Sequence, residues 1–214
     1  MPSLDLVINA FITLFVTIDP LGNMPLFLGL TAGMGAVVRR NIAIRGSGIA
    51  LGILMLFALT GTAVLDAIGI TIDAFRIAGG LLLFVTAFEM IYGLRQERRE
   101  EASNTAAADH IASLAVFPLA IPLLAGPGTI SATILLSSEL SSAPSVSIWA
   151  GRLTLIAILI TMMALTAGVL TAAHWLDKYI GATGKLVVTR LLGVLLAALS
   201  VQYIADGILA FTRH

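Results

Sequence analysis

The stretch "TIDPLGNMP", Thr17–Pro25, interrupts one of the longest apolar runs in this chain. It places an aspartate, a glycine, an asparagine and two prolines among residues that are otherwise almost all apolar. Proline removes a backbone donor, clashes with the preceding turn and pushes the residue before it out of the helical region. The stretch therefore predicts a helix that enters an apolar environment and breaks part-way through it.

The composition indicates that this environment is lipid. Of the 214 residues, 58% are hydrophobic and 11% are charged, against about 25% charged in soluble domains. So few charges cannot cover a globular surface, which predicts an integral membrane protein. The net charge is zero and gives no case for nucleic-acid binding. Because the chain has no cysteine, disulfides, thiolate metal sites and thiol catalysis are excluded.

Six apolar runs are candidate membrane spans, since a helix needs roughly 20 residues to cross a bilayer. The runs are Leu6–Val38, Gly46–Leu65, Ile77–Leu94, Ile111–Ser138, Leu153–Ala173 and Leu191–Ala205. They lack the alternating pattern of a membrane β-barrel. The predicted fold is therefore an all-α, six-helix integral membrane protein.

Lysine and arginine in the short loops predict the orientation. The loops after the first, third and fifth spans hold nine of the twelve basic residues, and the opposite side holds three. We therefore expect those three loops in the cytoplasm and both termini outside it.

The hydrophilic segment at 95–110 lies close to the middle of the chain. It divides the chain into a three-helix unit at 1–94, a cytoplasmic linker at 95–110 and a second three-helix unit at 111–214. Its mixed charges favour a solvated linker, with a regulatory or partner-binding role as the alternative. Because three is an odd number, the second unit would enter from the opposite face, as in an inverted repeat.

Three sequence matches occur in the same order in both halves. The first joins Pro20, Gly22 and Pro25 in the first span to Pro122, Gly126 and Pro127 in the fourth. Next, "ALTG" from Ala58 meets "ALTA" from Ala164, and "RIAGGLLLF" from Arg76 meets "RLLGVLLAA" from Arg190. The offsets are 102, 106 and 114, and small loop insertions would produce such a steady increase. Together the matches predict two inverted three-helix repeats, each with a broken first helix.

Paired breaks at equivalent places in inverted halves predict a substrate site at the midplane of the membrane. Pro25 and Pro127 each suit the start of a new half-helix, whose free N–H groups attract a carboxylate. The preceding half-helices are expected to end near Ile18 and Ile121, with carbonyls that suit an ammonium or a cation. Asp19 adds a negative charge beside the first break. A small zwitterion such as glycine or alanine is the natural substrate.

The breaks also have a purely structural interpretation, in which Asp19 caps the amides of Gly22 or Asn23 in a self-contained turn. The candidate substrate-binding residues are Asp19, Pro20, Gly22, Asn23, Pro25, Pro122, Gly126, Pro127, Gly128, Thr129 and Gln202. The candidate coupling residues are Asp19 and Glu89. Gln202 alternatively bonds to a neighbouring helix, and Glu89 alternatively reaches water at the interface. No catalytic residue, cofactor or metal site is predicted.

Four stretches carry a resemblance to a known family. They are "DPLGNMPLF" at Asp19–Phe27, "PLAIPLLAGPGTIS" at Pro118–Ser131, "RIAGGLLLF" at Arg76–Phe84 and "VQYIADG" at Val201–Gly207. With them the chain resembles the MarC family of bacterial inner-membrane proteins over essentially its whole length. The resemblance implies six transmembrane helices, inverted repeats, a place in the inner membrane, and transport of glycine, alanine and similar amino acids.

The predicted function is secondary transport of a small neutral amino acid by alternating access, with proton coupling through Asp19. Its partners would be the amino acid, the lipid bilayer and a proton or another coupling ion; the oligomeric state is left open. A channel or a drug efflux protein is the alternative, although 7% aromatic residues are few for a wide aromatic-lined cavity. An enzyme is not expected, because neither a second acid nor a Ser–His arrangement stands near the midplane.

Overall fold

The computed structural model describes residues 2–94, 114–142 and 147–212. All regular secondary structure in these ranges is helical. The helices are α1 Leu4–Ile18, α2 Met24–Leu30, α3 Ala36–Ala67, α4 Ile72–Tyr92, α5 Ala115–Leu124, α6 Pro127–Ser142, α7 Ile148–Thr171 and α8 Ala173–Phe211. The linker predicted at 95–110 lies outside the described residues.

Four helical segments are long and apolar enough to cross a membrane: α3, α4, α7 and the Thr183–Phe211 part of α8. Helices α5 and α6 together make a fifth candidate, bent by 59°. The first predicted span, Leu6–Val38, is divided among α1, α2 and the start of α3; α1 is apolar but has only 15 residues. The all-α class and the multi-pass character are thus confirmed, and a sixth crossing stays a prediction.

Hydroxyl side chains cap the N-termini of three helices. Ser3 accepts a hydrogen bond from the Leu6 amide at 3.4 Å before α1. Thr71 caps α4 and Ser147 caps α7 in the same way, at 3.2 Å. Each cap satisfies one of the backbone donors that a helix start leaves free. At the start of each of these three helices, one backbone N–H that would otherwise lack an acceptor is therefore hydrogen-bonded.

Glycines bring α4 and α8 into close contact. A Cβ placed on Gly207 would lie 3.0 Å from the Asp73 carbonyl oxygen, and one on Gly193 would lie 3.2 Å from that of Ala87. Because the residue number rises along α4 as it falls along α8, the two helices run antiparallel. Small residues such as glycine let two helix backbones approach closely. Membrane helices depend on such close packing because the hydrophobic effect does not drive helices together in lipid.

A large buried cluster surrounds both helix breaks. Ile18 and Met24 flank the first break, Leu124 and Ala125 precede the second, and all four belong to this cluster together with Phe27. Phe27 has no exposed surface. The residues that flank the two breaks therefore belong to one continuous apolar core.

A bend at Gly181, with φ +65°, divides α8. Before it, Trp175 and Tyr179 are exposed, with ring centroids 4.6 Å apart. Asp177 and Lys185 form an ion pair across the bend. Exposed tryptophan and tyrosine are typical of the membrane–water interface, so this first part of α8 has the character of an interfacial segment.

Candidate functional site

The first break begins where Asp19 reverses the backbone. Asp19 has φ +52°, its amide still donates to the Phe15 carbonyl at 3.0 Å, and it is completely buried. Non-glycine residues seldom adopt this left-handed conformation, and aspartate is among the few that do. α1 therefore ends at Ile18, which confirms the predicted end.

The Asp19 carboxylate packs tightly against Gly22. Its Oδ1 accepts a hydrogen bond from the Gly22 amide at 2.9 Å. A Cβ on Gly22 would lie 2.0 Å from Asp19 Oδ2, so only glycine fits here. This is the bond that the structural interpretation of the break predicts. Asp19 therefore stabilises the turn, whether or not it also contacts a substrate.

Asn23 is the last residue of the first break, and its side-chain oxygen is a buried hydrogen-bond acceptor. It is fully buried, and its Nδ2 donates to the Ile18 carbonyl at 2.7 Å. Within the described residues, its Oδ1 is buried and accepts no hydrogen bond. A buried acceptor without a donor is costly, which makes this oxygen well suited to an ammonium group. Pro25 follows as the second residue of α2.

Prolines make the chain before the second break irregular. Phe117 and Ile121 have extended backbone angles inside α5, and each precedes a proline, Pro118 or Pro122, joined through a cis peptide bond. A residue before proline is disfavoured in the α region, which accounts for both extended residues. The half-helix expected to end near Ile121 instead continues in irregular turns to Leu124.

A glycine-containing turn leads into α6. A Cβ on Gly126 would lie 2.5 Å from the Pro122 carbonyl oxygen, so the chain folds back closely only because this residue is glycine. α6 then starts at Pro127, as predicted. Gly128 packs against α4, and Thr129 is 2% exposed. The first N–H groups of α6 have no intrahelical acceptor, and they carry the positive end of the helix dipole.

The remaining candidates lie on α4 and α8. Gln202 is exposed, and its Nε2 donates to Asp206 Oδ1 at 2.8 Å. It is therefore not among the buried polar residues at the breaks. Glu89 is half-buried on α4, one turn beyond Thr86, which packs against Gly128.

One acidic residue was missed from the sequence because the fourth apolar run was ended at Ser138. The structure continues α6 to Ser142 and leaves Glu139 only partly exposed. The absence of proline and glycine from Ser138–Ser142 was the signal that the helix continues.

Comparisons with known proteins place the chain in a family. Residues 4–212 match the MarC family, described as integral membrane proteins. A UPF0056 membrane protein of Methanocaldococcus jannaschii is 38% identical over 201 residues, covering 94% of this chain and 95% of its own. The UPF0056 membrane protein YhcE of Escherichia coli K12 is 37% identical over 202 residues, covering 92% and 89%.

A further relative, a UPF0056 membrane protein of Archaeoglobus fulgidus, is 34% identical over 205 residues, covering 93% of this chain and 90% of its own. No solved structure matches the chain. The matched range includes both helix breaks and all eight described helices. The chain belongs to the MarC family of integral membrane proteins.

Proposed function

We propose that this protein is a secondary transporter that moves small neutral amino acids, of the glycine and alanine type, across the inner membrane by alternating access. The observation that carries the proposal is the pair of broken helices, whose flanking residues belong to one buried cluster. Irregular backbone at membrane depth is tolerated where it is buried in protein or lines a cavity. Paired breaks of this kind are characteristic of transporter binding sites.

The two breaks offer complementary groups to a zwitterion. The start of α6 offers the N–H groups of Gly128 and Thr129 to a carboxylate. The first break offers the Asn23 Oδ1, which has no hydrogen-bond donor among the described residues, and the negative charge of Asp19 to an ammonium. Apolar residues such as Phe27 pack around both breaks, which favours a substrate with a small, uncharged side chain.

We further infer that α1 and α2 together form a broken crossing equivalent to α5 and α6, which gives six crossings in two inverted repeats. The antiparallel packing of α4 against α8, in which Gly80 faces the Ser200 carbonyl and Gly193 faces that of Ala87, fits this arrangement, because the third helices of two inverted repeats run in opposite directions.

The test is uptake of labelled alanine and glycine into proteoliposomes, with and without a pH gradient. We expect saturable uptake by the wild type, stimulated by the gradient if a proton is coupled. Asp19→Asn should lose that stimulation if Asp19 is the coupling acid, whereas Asp66→Asn, which changes an exposed acid on α3, should retain it.

Protease protection of the proteoliposomes verifies that the wild-type protein is folded and inserted. Folded, inserted wild type that takes up neither amino acid would refute the proposed function. Binding of a bulky cationic dye under the same conditions would favour the efflux alternative.

A further inference from the structure

The first part of α8, residues 173–180, is a short helix between two candidate crossings. It follows α7, which ends at Thr171. It stops at Gly181, after which the Thr183–Phe211 part of α8 is long and apolar enough to cross a membrane. Gly181 has φ +65° and ψ 173°, backbone angles that essentially only glycine adopts. We name residues 173–180 the surface segment, since the bend at Gly181 separates them from the crossing that follows.

One face of the surface segment packs against the apolar core. Ala173 is completely buried, and it belongs to the same cluster as Ile18 and Met24 beside the first break. Leu176 and Ile180 are partly buried against that cluster. Positions 173, 176 and 180 are three and four residues apart, so they share one side of the helix. This packing fixes which side of the surface segment faces outward.

The opposite face carries two aromatic rings and a lysine. Trp175 and Tyr179 are 63% and 69% exposed, and their ring centroids lie 4.6 Å apart. Lys178 is also exposed. Positions 175, 178 and 179 are again three and four residues apart, so the three side chains leave the helix on the same side. We call Trp175, Lys178 and Tyr179 the exposed face.

The positive charge of Lys178 is not balanced by an acid. The adjacent Asp177 forms an ion pair with Lys185 across the bend, whereas Lys178 forms no ion pair within the described residues. The predicted orientation places this part of the chain on the cytoplasmic side, whose loops hold nine of the twelve basic residues. The exposed face therefore joins two aromatic rings to one uncompensated positive charge.

Short connections hold the exposed face at the membrane surface. Only Ala172 separates the surface segment from α7, and only residues 181 and 182 separate it from the Thr183–Phe211 crossing. Tryptophan and tyrosine lie at the level of the lipid headgroups because each joins an apolar ring to a polar group. Lipid is therefore the occupant that the position and the chemistry of this face favour.

We propose that the exposed face binds the headgroup of an anionic phospholipid in the surrounding membrane. The two rings pack at the boundary between headgroups and acyl chains, and the Lys178 ammonium extends toward the phosphate. A basic residue near an anionic membrane surface is attracted to it. A zwitterionic headgroup offers the same phosphate but also carries a positive charge, which Lys178 repels. The surface segment therefore prefers anionic to zwitterionic lipid.

Trp175 itself reports which lipid lies beside it. The chain has two tryptophans, so Trp149→Phe leaves Trp175 as the only one. This variant is reconstituted in phosphatidylcholine vesicles that contain the same mole fraction of brominated phosphatidylglycerol or brominated phosphatidylcholine. Bromine on the acyl chain quenches the fluorescence of a tryptophan that it contacts. We expect the anionic lipid to bind beside Trp175 about fivefold more strongly than the zwitterionic one, which is the effect of one basic residue near an anionic surface.

Lys178→Gln in the same background should abolish this preference, and Lys178→Arg should keep it. Arg40→Gln, which removes an exposed cation from α3, is the matched control and should also keep it. Equal quenching by the two lipids before Lys178 is changed, or a preference that survives Lys178→Gln, would overturn the proposal. Absence of quenching by either lipid would show that lipid does not cover this face, and it would overturn the proposal as well. The measurement uses no transport substrate, so its outcome is independent of the proposed function.

Discussion

Gly22→Ala is the substitution that most sharply tests how the first break is built. The new Cβ would lie 2.0 Å from Oδ2, 2.6 Å from Cγ and 2.8 Å from Oδ1 of Asp19. Asp19 is completely buried, so its carboxylate cannot swing into solvent. It would have to move by more than about 1 Å to reach an ordinary contact distance, and its 2.9 Å bond to the Gly22 amide would break.

The expected cost follows from two effects. A lost hydrogen bond to a charged group costs about 1.5–3 kcal/mol, and overpacking costs about 1–3 kcal/mol. Because the turn can relax partly, we expect the free energy of unfolding to fall by about 3 kcal/mol, which is roughly a hundredfold in the unfolding equilibrium. The measurement is unfolding in mixed detergent micelles as the mole fraction of denaturing detergent is raised.

Gly29→Ala is the matched control, since Gly29 lies on α2 and a Cβ there meets no atom within 4 Å. This change should leave stability unchanged or raise it by up to about 1 kcal/mol. In an Asp19→Ala background, Gly22→Ala should cost no more than about 0.5 kcal/mol. Equal costs for the two alanine substitutions, or an undiminished cost without the Asp19 carboxylate, would refute the reasoning.

Three other predictions concern the second break, helix packing and orientation. Gly126→Ala should lower the free energy of unfolding by roughly 2 kcal/mol, because its Cβ would meet a backbone oxygen at 2.5 Å. Gly168→Ala, with no atom nearby, should not lower it; similar stabilities would contradict the tight turn. Ser137→Ala should cost about 1 kcal/mol through loss of its 2.6 Å bond to an α3 carbonyl, and no loss in the same assay would show that the bond contributes nothing. In intact cells, an impermeant maleimide should label Ile70→Cys but not Lys178→Cys, and the reverse pattern would invert the orientation.

The positions of the breaks could be read from the sequence because proline, glycine and aspartate act on the backbone locally. The end of α1 at Ile18 and the start of α6 at Pro127 follow from such local rules. Membership of the MarC family was likewise readable from the two proline–glycine stretches, and the comparisons confirm it.

Other features depend on packing between helices, which the linear pattern does not contain. The irregular turns of α5 continue to Leu124 past the end expected near Ile121. The exposure of Gln202 and the partial burial of Glu139 depend on how α6 and α8 are oriented against their neighbours. The left-handed turn at Asp19 could be suspected from its residue type, but its contact with Gly22 required the structure.

The central claim, that both breaks bind one small neutral amino acid, is tested most directly by equilibrium binding of labelled alanine to the purified protein. Asn23→Ala removes the buried acceptor in the first break, and Thr129→Pro removes one of the backbone N–H groups that the start of α6 offers to the carboxylate, at a first-turn position that tolerates proline. Thr161→Val, at an exposed position on α7, is the control. We predict that the first two variants bind alanine more weakly, each by about tenfold, and that the control binds as the wild type does. Wild-type affinity in both break variants, or a loss in only one of them, would contradict a shared site.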